Sequence, residues 1–442
     1  MQWNKIYKIV LSLGIAIGAV VRVANIWLYS PLSNLFSDPE RHWLYTQRIP
    51  EKYLFSAIDP IGYQVWLRFI TQFTLNDNIL FNIYTSILSL FTAFIWYKVL
   101  SELSPKNKLT NLIGFLVFMW LPSWIEIFSY TMTETLFLPL LGMCLYITFK
   151  IKEKNTITNW NLFAISLLWA LCCLTRLVAL PIAMICLLYL VYREKKNIIN
   201  KSNLSNFIAN LKWKQITIII STFAIILGVV GYRNYLIIKT FSPFGYGAMN
   251  QVYTLSGNET INVNIYNKGV NTENWWFGSP SMNTKPLEPL SDWKSERKGE
   301  VSIFPDISDG SVGWEQYLID HKVTTNYTQI LKENFLFFFF GESWPDSNRL
   351  HPMSMVSYQM RWFWFPLFIL ISILNILYIS MNKKIGIIQI IVTICTILII
   401  FNYSAVMEGR YRKPFEGLWL LNLFWLLPRI NKLPRRKSTS YS

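Results

Sequence analysis

Residues 7–29 read YKIVLSLGIAIGAVVRVANIWLY. Only Lys8 and Arg22 carry charge in this stretch, and it shows no polar face. A run of this length and character crosses a bilayer as one helix, which needs about 20 apolar residues. It is too long for a secretory leader and lacks a small-x-small cleavage site, so it is read as an uncleaved first span.

The same pattern repeats along the chain. Further apolar stretches occupy 79–99, 109–127, 132–150, 159–174, 177–192, 215–236, 359–380, 385–402 and 415–428. Of the 442 residues, 52% are hydrophobic and 15% charged, against about 25% charged in a soluble domain. Backbone groups inside lipid must be satisfied within each segment, which makes the spans helical. The expectation is an all-α polytopic membrane protein of about ten transmembrane helices, within a range of ten to twelve. It has amphipathic outer-face helices and one long outer loop. The organisation expected is an N-terminal transmembrane module over 1–236 with a first outer loop at 30–78, a long extracytoplasmic loop at 237–358, C-terminal helices at 359–428 and a basic tail at 429–442.

Charge sets the orientation. The net charge is +16, yet residues 237–358 sum to −4 and the remainder to +20. Cations gather in the short connections: Lys106 and Lys108; Lys150, Lys152 and Lys154; Arg193, Lys195, Lys196 and Lys201; Lys383 and Lys384; and the tail. With both termini cytoplasmic, ten spans put all of these on the cytoplasmic side, as the positive-inside rule asks. Nucleic acid is excluded as a partner, because no basic patch coincides with a soluble fold. Membrane lipids are the expected surroundings. The abundance of Ile, Asn and Lys suggests an AT-rich bacterial genome, and with it a bacterial inner membrane.

All five cysteines fall in apolar stretches, and the three histidines are far apart in sequence. Neither a disulfide framework for the long loop nor a metal-ligand spacing is present. The reading calls for no cofactor and leaves a divalent ion open.

The loop at 30–78 is rich in Arg, Trp and Tyr, a composition suited to helices lying among headgroups. The loop at 237–358 is too long for a plain connector, and some strand is expected around 260–266. The run at 334–340 ends in four phenylalanines and is too short to cross alone, so an interfacial helix is expected there.

Several residues carry chemistry. In Ser37-Asp38-Pro39-Glu40-Arg41-His42-Trp43, Asp38 suits a general base at the outer surface; Asp followed by Pro is equally a helix N-cap. Glu134 either polarises a cavity or completes a capping box with Thr131, and Glu126 shares the ambiguity. Arg176 and Arg233 lie near outer span ends, where guanidinium groups snorkel to headgroups or bind a lipid phosphate. Glu408-Gly409-Arg410-Tyr411-Arg412-Lys413-Pro414 packs three cations into an outer loop, against the positive-inside trend. A phosphate headgroup is a natural reason, and a solvated turn is the plain alternative. No phosphate-binding glycine loop, nucleophile elbow or zinc-protease motif occurs. A sugar donor would therefore have to be lipid-linked.

Taken in order, Arg22, the 37–41 segment, Asp59-Pro60-Ile61-Gly62-Tyr63-Gln64-Val65-Trp66-Leu67, Pro122 with Thr133-Glu134, Leu174-Thr175-Arg176 with Pro181, Tyr232-Arg233-Asn234-Tyr235 and the 408–414 segment resemble the GT-C superfamily of integral membrane glycosyltransferases. The likeness is to the protein O-mannosyltransferase and aminoarabinose transferase branch. It covers roughly the first 250 residues and the last outer loop. Here Pro39 separates two acids that the family commonly places side by side.

The resemblance implies a polyprenyl-phosphate-linked sugar donor, an outward-facing cavity and inversion at the anomeric carbon. It carries the first-loop aspartate over as Asp38, the catalytic base. On this reading the acceptor is a hydroxyl of a glycan, lipid or protein. Glu40, Arg41, Glu134, Arg176, Arg233, Arg410, Tyr411 and Arg412 are candidate substrate-binding residues, and Trp43, Tyr45 and Trp66 are candidates to pack on sugar or isoprenoid. The alternatives are a lipid-linked sugar flippase, which inverted repeats and broken midplane helices would favour, and a non-enzymatic envelope assembly subunit acting through the 237–358 loop.

Overall fold

The computed structural model describes residues 2–35, 37–47, 60–75, 77–154, 157–192, 198–200, 211–238, 241–244, 251–254, 260–265, 297–303, 327–341, 352–382, 384–401 and 409–430. They are dominated by helices: α1 (Gln2–Leu28), α2 (Ser37–Gln47), α3 (Ile61–Thr74), α4 (Asn78–Leu103), α5 (Lys108–Trp120), α6 (Pro122–Ile127), α7 (Thr133–Lys154), α8 (Asn159–Thr175), α9 (Ala179–Val191), α10 (Trp213–Ile238), α11 (Tyr327–Phe340), α12 (Pro352–Asn382), α13 (Ile387–Ile400) and α14 (Lys413–Ile430). Short strands accompany them. β1 (Ile198–Asn200) pairs antiparallel with β5 (Lys384–Gly386), while β2 (Gln251–Thr254), β3 (Thr260–Ile265) and β4 (Arg297–Ile303) form a small mixed sheet. Strand therefore occupies the position where the sequence places it, around 260–266.

Five helical segments are long and apolar enough to cross a membrane: Ile6–Ser33, Asn78–Leu103, Thr133–Glu153, Trp213–Leu236 and Met355–Asn382. Four shorter apolar helices, α5, α8, α9 and α13, lie among them. The helical membrane class holds, and five of the expected ten spans reach crossing length among the described residues. One expected span is broken. The stretch 109–127 splits into α5 and α6 at Leu121-Pro122, because proline has no N–H to donate and pushes the preceding residue out of the helical region. Leu121 accordingly has φ −66° and ψ 111°.

Burial separates the centre of the bundle from its rim. The apolar window of α7 is 61% buried inside the protein, and those of α1 and α10 only 22%. Helix α7 packs most extensively on α4. Gly142 permits that approach, since a Cβ there would lie 2.7 Å from Ile95 Cγ2 and 2.9 Å from the Trp96 indole. The Trp96 Nε1 then donates to the Leu138 carbonyl at 2.9 Å. On the peripheral α10, Trp213 and Tyr232 are both about 60% exposed. They are 19 residues apart, about 28 Å along a helix axis, close to the roughly 30 Å hydrocarbon thickness that interfacial aromatics bracket.

Arg22 lies fully buried in α1. Its Nε donates to Met119 O at 2.8 Å, its Nη2 to Phe118 O at 2.7 Å and its Nη1 to Ser89 Oγ at 2.9 Å. The first two acceptors are carbonyls at the C-terminus of α5, which no longer have partners within their own helix. One guanidinium thus joins α1, α4 and α5.

Helix α11 carries the phenylalanine run and buries part of it in the protein. Phe338 and Phe339 are fully buried and Phe340 nearly so. Phe338 meets Phe415 and Trp419 at 5.4 and 5.9 Å, and Phe339 stacks on Trp419 at 5.7 Å. Within this fourteen-residue helix, these rings pack against α14.

Candidate functional site

A cavity of about 560 Å³ gathers residues distant in sequence. Helix α2 contributes Asp38, Arg41 and His42; Pro60 precedes α3; Met132 precedes α7 and Thr133 begins it. Thr175, Arg176, Leu177, Val178 and Pro181 come from the α8–α9 turn. The end of α13 contributes Cys395, Leu398 and Ile399, followed by Phe401, and Tyr411 closes the wall.

Local sequence explains the wall. Helix α2 begins at Ser37, so Asp38 lies inside its first turn and not ahead of it as an N-cap. A carboxylate there is favoured by the helix dipole, and one turn of helix carries Asp38, Arg41 and His42 along the same face. Arg41 Nη1 lies 2.8 Å from Asp38 Oδ1. Helix α7 begins at Thr133, two residues beyond the Thr131 that a capping box would use as its cap. Thr131 Oγ1 instead donates to Pro39 O at 2.8 Å, tying the start of α7 to α2. Gly62 brings α3 against the end of α8, where a Cβ would lie 2.8 Å from the Leu174 carbonyl and 2.9 Å from Thr175 N.

Glu134 is fully buried behind the wall and forms an ion pair with Arg176. The Arg176 guanidinium stands 5.2 Å from the centre of the Tyr411 ring. His42 is only 2% exposed and meets Tyr63 edge-on at 5.1 Å. Burial pushes the Tyr63 phenol well above its usual range, while a hydrogen bond with Thr135 acts the other way. Tyr63 therefore stays a neutral hydroxyl at physiological pH.

The lining is mixed. Asp38, Arg41, Arg176 and Tyr411 are polar, while Leu177, Leu398 and Phe401 are apolar and about half exposed, at 48%, 49% and 53%. This combination suits a molecule with a charged head and a hydrocarbon tail.

Of the residues singled out by sequence, Asp38, Arg41, Arg176 and Tyr411 line the cavity and Glu134 supports it. Glu40 is exposed on α2 and is not among the lining residues. Arg233 is not among them either; its Nη1 donates to Asn234 Oδ1 at 2.6 Å on α10. Arg410 falls in the 3₁₀ turn Gly409–Arg412, and its side chain lies outside the described residues. Arg412 is not among the lining residues and sits as a buried clamp. It is 1% exposed, and it donates to Glu416 Oε1 at 3.1 Å, Phe338 O at 2.9 Å and Phe339 O at 2.8 Å. Trp43 packs on Phe81 at 5.8 Å, and Trp66 Nε1 donates to Tyr84 at 2.6 Å, so both serve the α2–α3–α4 packing. Tyr45's side chain is outside the described residues.

His42 was not among the sequence candidates. Its signal was the i,i+4 spacing from Asp38, which has meaning only once 37–47 is helical. Among the described residues no group of three or more His, Cys, Asp or Glu is arranged to hold a metal. No family model, curated protein or solved structure matches this chain.

Proposed function

We propose that this chain is an integral membrane glycosyltransferase that moves a sugar from a polyprenyl-phosphate donor to an acceptor hydroxyl. The observation that carries the reading is the mixed lining of the cavity, in which Asp38 and Arg176 share one space with the apolar, half-exposed Leu177, Leu398 and Phe401. The resemblance to GT-C enzymes points the same way. In this scheme the five long and the shorter apolar helices, with α14, make about ten spans of a bacterial inner membrane, with both termini cytoplasmic and the cavity at the outer face.

Asp38 accepts the proton of the acceptor hydroxyl as its oxygen attacks the anomeric carbon. The bond from that carbon to the phosphate oxygen breaks, and the configuration inverts. The phosphate departs as an anion, so a fixed cation matters more than a proton donor. Arg176, held between Glu134 and Tyr411, supplies that cation. The hydrocarbon tail lies along Leu177, Leu398 and Phe401.

The test is sugar transfer by purified protein from a panel of polyprenyl-phosphate sugars, comparing wild type with Asp38→Asn. Transfer by wild type that is lost in Asp38→Asn, with donor binding retained, is the expected result. Equal transfer by both removes Asp38 as base. Donor binding with no transfer to any acceptor favours the flippase alternative.

A further inference from the structure

Tyr411 lies in a short 3₁₀ turn at the cavity wall. Such a turn has few hydrogen bonds of its own. Its neighbours in sequence are nevertheless held at several points. Arg412 places two donors on the carbonyls of Phe338 and Phe339, at the C-terminus of α11, where carbonyls lack partners within the helix. Its Nε engages Glu416, one turn into α14. Glu416 is itself 1% exposed and accepts the hydroxyl proton of Ser123 from α6. The next residue of α6, Trp124, donates its Nε1 to the Lys413 carbonyl at 3.0 Å. One short helix thus grips both the side chain that holds Arg412 and the backbone directly after it.

We propose that Ser123, Trp124, Arg412 and Glu416 are positioning residues that fix Tyr411 over Arg176. This rests on the glycosyltransferase reading for its consequence in substrate binding, but not for its geometry. Tyr411 limits where the Arg176 guanidinium can go on the open side, as Glu134 does on the buried side. With the clamp loosened, Arg176 has a wider range of positions, and a bound phosphate must order it.

Arg412→Ala would leave Glu416 buried without its cation and threatens folding. Ser123→Ala is the informative variant, because the Arg412–Glu416 pair survives it, and Ser123→Thr restores the hydroxyl. The first measurement is fluorine NMR of 3-fluorotyrosine placed at position 411, with no ligand present. Wild type and Ser123→Thr are expected to share one resonance, which Ser123→Ala shifts or splits. An unchanged resonance in Ser123→Ala overturns the proposal. The second is steady-state transfer from whichever polyprenyl-phosphate sugar wild type uses. Loss of one charge-assisted hydrogen bond should raise donor KM by about tenfold or more, with kcat within about twofold. In a Tyr411→Ala background the Ser123→Ala effect should vanish; additive losses mean that Ser123 does not act through Tyr411 and overturn the proposal. If wild type transfers from no donor, the glycosyltransferase reading fails, and the fluorine resonance still decides whether the clamp positions Tyr411.

Discussion

Glu134 is completely buried beside Arg176, whereas Asp38 and Arg41 pair at the cavity wall with side chains 16% and 29% exposed. The two ion pairs should therefore respond differently to mutation. Removing one partner of a buried pair strands the other charge and costs about 3–5 kcal/mol. Glu134→Gln is expected to lower the thermal midpoint of the purified protein markedly, and Glu134→Gln with Arg176→Gln to recover part of that loss. A double variant less stable than either single one would count against the pairing. An i,i+3 pair near solvent contributes only about 0.3–0.5 kcal/mol. Arg41→Gln should leave the midpoint almost unchanged, so any loss of transfer in that variant is chemical.

Between elements, cations repeatedly close helix C-termini. Arg22 does so for α5 and Arg412 for α11. Arg429 reaches the Leu103 carbonyl ending α4 at 3.1 Å, and Lys152 reaches the Leu190 carbonyl near the end of α9 at 3.4 Å. The last carbonyls of a helix have no partner within it, and a cation there also meets the negative end of the helix dipole. Arg22→Lys should fold less stably than wild type, because a single ammonium cannot reproduce the forked geometry of a guanidinium. Arg22→Leu should lose about 3 kcal/mol or more, as three charged hydrogen bonds disappear at once; thermal unfolding in detergent measures both. Helix contact also places the site. Gly62→Ala pushes against the Leu174–Thr175 backbone, which cannot rotate away as a side chain can. About 1–3 kcal/mol of destabilisation is expected from this overpacking, together with reduced transfer as Arg176 is displaced.

For the whole molecule, orientation in the membrane is the property to test. On the proposed topology, Glu40→Cys reacts with an impermeant maleimide in intact cells, and Lys106→Cys reacts only after permeabilisation. The native cysteines are all free and buried, which keeps background low. Labelling of both variants under the same condition would overturn the orientation. The exposed aromatics at the two ends of α10 set the depth at which that boundary should fall.

The helical membrane class was legible in composition and in apolar run length alone, because lipid demands the same solution of every crossing segment. Residues 7–29 announce α1, 159–174 announce α8, and 215–236 announce α10, each within a few residues of its observed bounds. Asp38, Arg176 and Tyr411 stood out as charged or aromatic groups at predicted span ends. Their meeting around one cavity was a matter of packing: Gly62 against α8, Thr131 against α2 and the turn at Gly409–Arg412 against α11 and α14. Tertiary structure alone decided the fate of Arg412 and of the phenylalanine run in α11. A buried guanidinium and a phosphate-binding one are the same residue in sequence, and what distinguishes them is whether helix-end carbonyls or a cavity lies within reach.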